Sequence, residues 1–314
     1  MVISIFLPKS VFTEAQYERL TKLGDVRFSD RSDKMTTEEC LTFVQDSDVL
    51  GLDPDNLGGF NEASPVVTRI VDTLPNLKGV ALATTSFGWV DRTYLRSKNI
   101  SVSNVPGYSR ESVAEHTIAL LLCLAKRIII TDRKTIAGKY EKEMGFELAG
   151  KTLGIIGVGN IGSRTAELAR GLGMNVIGYN HSPKNVPGVE MKSLDAVLAE
   201  SDALAFHTTH TDENHGFISK AHFAKMKKGV IIVNTADEGV VDELAMAEAL
   251  RRGQVDMYAC EGATFEHTPL AGIERAIGLH GFGYYTREAI QNLFEIFIDD
   301  IEAIVQGNPI HVVN

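Results

Sequence analysis

Short apolar runs alternate with stretches of helical periodicity along most of the chain. In the first hundred residues the runs are Val2–Leu7, Asp48–Leu52 and Lys78–Ala83, each bounded by turn residues. Glu14–Leu23 carries its apolar residues at helical spacing, and helical stretches lie between the other runs. This rhythm predicts βαβ units and a mostly parallel sheet. Glu111–Arg127 (ESVAEHTIALLLCLAKR) predicts one long, largely buried helix. A second alternation follows, with strands predicted at Thr152–Ile156, Asn175–Tyr179, Ala203–His207, Val230–Asn234, Met257–Cys260 and Ala276–Leu279. The tail, Thr286–Gly307, is helical in pattern. The fold class expected is α/β, two domains with doubly wound parallel sheets. Hinges at Asn104–Gly107 and near Tyr285 divide the chain into 1–103 with 287–314, and 104–286.

One turn in the second half carries a ligand signature. "TLGIIGVGNIG" runs an apolar strand into Gly157-x-Gly159-x-x-Gly162, and "SRTAELARGL" continues as a helix. The first glycine permits the tight turn. The second lets backbone approach a pyrophosphate, and the third lets helix and strand pack closely. The helix start at Asn160 and Ile161 presents free N–H groups and the positive end of a dipole to the anion. An acid is expected about 20 residues on, to hold the ribose hydroxyls. Asn180 stands there instead, followed by His181, Ser182 and Lys184. Asn hydrogen-bonds a ribose without repelling a 2′-phosphate, so the cofactor is NAD(H) or NADP(H), with a slight lean to NADP(H). His207, at a strand end, is expected to shape the cofactor pocket.

Charge and cysteine content narrow the setting. The net charge of −10 makes nucleic acid and anionic membrane poor partners. No apolar run is long enough to span a bilayer. Cys40, Cys123 and Cys260 lack metal-type spacing, and reduced thiols of a cytoplasmic protein are expected. No metal site is expected.

Several stretches, in order, resemble the D-isomer-specific 2-hydroxyacid dehydrogenase family: 104–122 (NVPGYSRESVAEHTIALLL), 150–180, 226–255 and the ending GNPIHVVN. The resemblance implies a flavodoxin-like substrate domain beside a Rossmann-like domain, in homodimers. It implies reversible hydride transfer between a nicotinamide and C2 of a 2-keto or 2-hydroxy acid. In the family an arginine holds the substrate carboxylate, a histidine exchanges the proton, and a glutamate supports the histidine. The family's Asn-Thr-Ala-Arg-Gly becomes Asn234-Thr235-Ala236-Asp237-Glu238-Gly239 here, so the arginine position is Asp237. Thr235 and Ala236 fall on cofactor-side positions. The glutamate position falls on Glu266, and the histidine position on Gly281, preceded by His280. The loop whose amides hold the carboxylate reads TTSFGWVD, with Thr85 and Ser86 on the contacting positions.

These departures leave three readings open. In the first, the chain is a nicotinamide-dependent oxidoreductase with an altered small-molecule substrate, not a simple 2-keto carboxylate. Asp237, Glu238 and Glu266 then form an acidic pocket for a cationic or uncharged group, and His280, Tyr284, Tyr285 or His267 supplies the proton. Arg110, after the hinge, is a substitute cation. In the second, the chain binds NAD(P) without redox turnover, as a sensor or partner subunit. In the third, bound NAD(P) serves transiently in a lyase or isomerase reaction. His116, within the long helix, reads as structural.

Overall fold

The computed structural model describes all 314 residues except Ser32, 209–213 and 263–264, and the side chain of Glu238. The chain divides into two units, Met1–Tyr108 with Arg287–Asn314, and Ser109–Thr286.

The first unit holds a five-stranded parallel sheet of β1 (Val2–Ile5), β2 (Asp25–Phe28), β3 (Val49–Leu52), β4 (Gly79–Leu82) and β5 (Ser101–Ser103), in the order β2-β1-β3-β4-β5. Its helices are α1 (Glu14–Thr21), α2 (Thr37–Phe43), α3 (Ala63–Asp72), α4 (Arg92–Ser97) and the C-terminal α11 (Arg287–Val305). α1 and α2 start on capping boxes, Thr13 with Gln16 and Thr36 with Glu39. β3 and β4 are buried along their whole length, which is why they read as continuous apolar runs without alternation. α11 lays Leu293, Phe297, Ile301 and Ile304 against β1, β3 and β4. Its approach is close: a Cβ on Gly51 would stand 2.6 Å from the Phe297 ring.

The chain end returns to this unit. Val313 N–H donates to Val102 O at 2.8 Å, and Asn104 N–H donates to His311 O at 3.2 Å. Asn104 Nδ2 also donates to Thr85 O at 2.7 Å. These bonds hold Asn104 to the first sheet, within the unit that runs to Tyr108.

The second unit holds seven parallel strands: β6 (Thr152–Ile156), β7 (Asn175–Tyr179), β8 (Glu190–Met191), β9 (Ala203–Phe206), β10 (Val230–Asn234), β11 (Val255–Glu261) and β12 (Ala276–Leu279). Their order is β12-β11-β10-β9-β6-β7-β8, so the strand order reverses at the β6–β9 boundary. In open α/β sheets such a switch point, at the carboxyl ends of the strands, is where ligands bind. Its helices are α5 (Arg110–Ala125), α6 (Ile128–Ile136), α7 (Asn160–Gly171), α8 (Leu194–Glu200), α9 (Lys220–Phe223) and α10 (Glu243–Arg251). α5 buries Val113, Thr117, Leu120, Leu121 and Leu124. Arg127, at φ +59°, turns the chain from α5 into α6, and its buried guanidinium bonds Asp256 and donates to Met144 O. Among the described residues no helix is long and apolar enough to cross a membrane.

Candidate active site

The glycine loop of the second unit divides its labour as the spacing predicts. Gly157 sits at φ +95°, and a Cβ there would stand 2.6 Å from the His207 backbone. A Cβ on Gly162 would stand 2.3 Å from Gly157 O. Both positions therefore need glycine for packing alone. Gly159 is different: a Cβ on it would meet nothing within 4 Å among the described residues. Gly159 is also the N-cap of α7, and no side chain caps that helix. The first N–H groups of a helix have no intrahelical partner. Open space in front of an uncapped helix start is what a pyrophosphate needs, so the residues fit a dinucleotide.

A cavity of about 420 Å³ lies at the ends of β6 and β7, lined in part by Gly157, Tyr179, Asn180, His181 and Thr208. Asn180 has a job the sequence did not indicate. Its Oδ1 accepts the Val158 N–H at 2.6 Å, and its Nδ2 donates to Val158 O at 3.4 Å. The side chain thus braces the glycine loop and has its acceptor engaged. His181, Ser182 and Lys184 follow, all exposed.

His207 closes the floor of the loop. Its Nε2 lies 3.1 Å from Thr165 Oγ1 and its Nδ1 3.2 Å from Thr235 Oγ1, and Thr235 Oγ1 lies 3.0 Å from Thr117 Oγ1. This chain of polar groups ties α7, β9, β10 and α5 together. Burial pushes the imidazole pKa down to about 4 from 6.5. His207 is therefore neutral in the folded protein at pH values where the unfolded chain takes up a proton. Stability from this group is intact above pH 6.5 and falls as pH drops towards 4, by about 3 kcal/mol at 1.36 kcal/mol per unit. Urea denaturation at pH 7 and pH 4.5 should show wild type losing about that much more stability than H207Q.

At the end of β10 the acid in the family's arginine position is built into its own turn. Asp237 Oδ1 accepts the Gly239 N–H at 2.8 Å, and Asp237 O accepts from Asn234 Nδ2 at 3.0 Å. Asn234 Oδ1 accepts the Ala236 N–H at 3.0 Å. The carboxylate shapes the 3₁₀ turn Glu238–Val240. Of the expected acidic pocket, the Glu238 side chain lies outside the described residues. Glu266 is 80% exposed and pairs with His267 at 3.7 Å. Glu266 and His280 come together on one cavity of about 580 Å³, beside Arg133 and Ile273, and Asp237 is not among its lining. Tyr285 is 71% exposed, and its ring packs edge-on against Tyr284. Arg110 is the exposed first residue of α5. Gly281, in the family's histidine position, is exposed, and among the described residues a Cβ there would meet only Gly262 Cα at 3.7 Å.

In the first unit, Thr85 and Ser86 lie exposed in the loop after β4. Thr85 Oγ1 donates to Val105 O at 3.0 Å, and Trp89 Nε1 donates to Thr84 Oγ1 and Ser86 O. Trp89 thereby braces the loop from beneath, 3% exposed.

A buried pair at the end of β11 had escaped the sequence reading. Glu261 is the last residue of the strand, and His116 on α5 faces it with Nε2 3.8 Å from Oε1. The sequence pattern had ended this strand at Cys260. The available signal was an acid placed directly after an apolar run and before a glycine. Among the described residues no group of three or more His, Cys, Asp or Glu side chains is arranged to hold a metal ion.

Comparison with known proteins agrees with this geometry. Residues 118–279 match the model for the "D-isomer specific 2-hydroxyacid dehydrogenase, NAD binding domain". A D-3-phosphoglycerate dehydrogenase of Archaeoglobus fulgidus is 36% identical over 78% of this chain, but the match spans only 48% of that longer relative. A glyoxylate reductase of Aeropyrum pernix is 31% identical over 99% of this chain and 95% of its own length. An acyclic imino acid reductase solved with NADPH and D-Arg shares the fold, with a TM-score of 0.85 at 23% identity over the whole of both chains. The chain belongs to the D-isomer specific 2-hydroxyacid dehydrogenase family of nicotinamide-dependent oxidoreductases.

Proposed function

We propose that this protein is an NAD(P)-dependent oxidoreductase whose substrate presents its reacting C=O or C=N group without a carboxylate to be anchored. The observation that carries this reading is Asp237, fixed by the Gly239 N–H at the place where the family carries arginine. A substrate carboxylate held ~4 Å from that carboxylate would meet roughly 4 kcal/mol of repulsion at an effective dielectric of ~20. It would also lack the charge-assisted bonds an arginine supplies. An uncharged or cationic group meets neither penalty.

The nicotinamide, when bound, supplies or accepts the hydride. The chain's own part is to hold the pyrophosphate at Gly157, Gly159 and the start of α7, and to brace that loop through Asn180 and His207. Incubation of the protein with NADH or NADPH and a panel of ketones, cyclic imines and 2-keto acids tests the reading by the loss of absorbance. Turnover of ketones or imines is the expected result. Turnover of keto acids alone contradicts it.

Two finer points belong to the same reading. NADP(H) is the favoured cofactor, because Asn180 carries no charge, its oxygen is taken by Val158, and Lys184 stands nearby in sequence. Calorimetric titration should give a lower Kd for NADPH than for NADH. The protein works as a homodimer in the cytoplasm. Ile136, Tyr140 and Met144 expose 80%, 93% and 90% of their surface on α6 and the segment after it, and apolar residues gathered so openly favour cover by a second copy. I136D should sediment as a monomer while binding cofactor as wild type does.

A further inference from the structure

Glu261 is an acid with almost no exposure: 9% of its side chain is accessible. Burying a carboxylate is costly unless it is hydrogen-bonded. Its Oε1 accepts the Phe282 N–H at 2.6 Å and also the Gly283 N–H. The loop that would carry the family's histidine is therefore folded around this carboxylate. Gly283 is glycine for that reason. A Cβ on it would stand 2.7 Å from Glu261 Oε2 and 3.0 Å from His116 Cδ2. Ser112 Oγ, one turn before His116 on α5, bonds Gly283 O from the other side.

His116 completes the cluster. Its ring packs edge-on against Phe282, with centroids 5.0 Å apart. Its Nε2 is buried, has no hydrogen-bond partner, and points at Glu261 Oε1 from 3.8 Å. The side chain as a whole keeps 15% exposure. The position also fits. In a doubly wound sheet the second half of a dinucleotide lies over the strands beyond the switch point. Here those are β9, β10 and β11, and Glu261 ends β11.

We propose that His116, held by Glu261, is the general acid–base of this chain, in place of the histidine that Gly281 has displaced. The inference rests on the oxidoreductase reading above and narrows it to a ketone or aldehyde. A bound nicotinamide would supply hydride to the carbonyl carbon, and the C=O π pair would move to oxygen. That oxygen takes the proton from the His116 ring, and the neutral imidazole regains a proton from water. An iminium substrate needs no such acid, since its nitrogen becomes a neutral amine on gaining the hydride. Glu261 acts through His116 and is a positioning residue.

The test uses the full chain in three forms: wild type, H116Q and E261Q. With a ketone found by panel, H116Q should lower kcat about 100-fold or more, the usual worth of a positioned acid. NADPH affinity, read by fluorescence, should stay close to wild type. The fall of kcat with rising pH should vanish in H116Q. E261Q, where Gln still accepts the two amides, should lower kcat while leaving NADPH affinity unchanged. A second readout needs no turnover. Diethyl pyrocarbonate should modify His116 in the cofactor-free protein, read by mass spectrometry, and NADPH should suppress it. Thermal melting identifies a variant that has not folded, and E261Q with the modification experiment then decides. A wild-type kcat and pH profile in H116Q would overturn the proposal, as would modification unaffected by NADPH. Wild-type turnover of imines without any ketone would also overturn it while leaving the oxidoreductase reading standing. Binding of NADPH with no turnover of any substrate would sink that reading itself.

Discussion

Gly159→Val should fold like wild type and lose its nicotinamide cofactor. The expectation comes from the difference between three glycines in one loop. Gly157 and Gly162 face protein: added Cβ atoms would stand 2.6 Å and 2.3 Å from backbone. Gly159 faces open space, and its φ of −81° suits any L residue. Among the described residues valine there has nothing to strike with its Cβ, but it fills the place where a pyrophosphate must approach the start of α7. Two charge-assisted backbone bonds lost at ~1.5 kcal/mol each correspond to about 100-fold in Kd. Gly162→Val should instead lower stability, since its Cβ collides with Gly157 O. Fluorescence titration with NADPH and urea denaturation on both variants separate the two effects. Cofactor affinity unchanged in G159V would remove the loop from the site.

The double variant D237R/G281H should create 2-keto acid reduction. Asp237→Arg replaces repulsion of a substrate carboxylate by attraction, and it forfeits the Gly239 N–H bond at a cost of about 1 kcal/mol in stability. Among the described residues Gly281→His meets no clash, because the nearest atom to a Cβ is Gly262 Cα at 3.7 Å, ordinary contact. The arginine change should act mainly through KM and the histidine change through kcat. Together they should raise kcat/KM for glyoxylate by about 100-fold or more over wild type. A double variant no better than wild type would mean that these two positions do not explain the departure from the family.

The strands that the pattern found and missed differ in where they lie. β3, β4, β6, β9 and β10 sit inside their sheets, so both faces are buried and the chain spells unbroken apolar runs. β2, β5 and β8 are sheet edges. β2 reads DVRF, half-exposed along its length, and β8 has only two residues, so neither carries a hydrophobic signal. β12 is also an edge, yet its AIGL run was legible because Ala276 and Ile277 are buried.

The site was legible where chemistry is local. The glycine loop spells its geometry in six residues, and the Asp237 turn is visible in the text NTADEG. What could not be read is what depends on distant partners. Nothing near Asn180 indicates that its side chain would turn back to Val158, and nothing near His116 indicates Glu261. The first contact exists because parallel β6 and β7 bring their carboxyl ends together, and the second because α5 packs against the sheet where β11 ends.

On the proposed function, this chain keeps the family's cofactor chemistry without its carboxylate substrate. The most direct test compares kcat/KM, with NADPH in excess, for a 2-keto acid and the corresponding ketone in which a methyl group replaces the carboxylate. A higher value for the uncharged ketone is the result this account predicts. A 2-keto acid turned over more efficiently than its uncharged counterpart would contradict it.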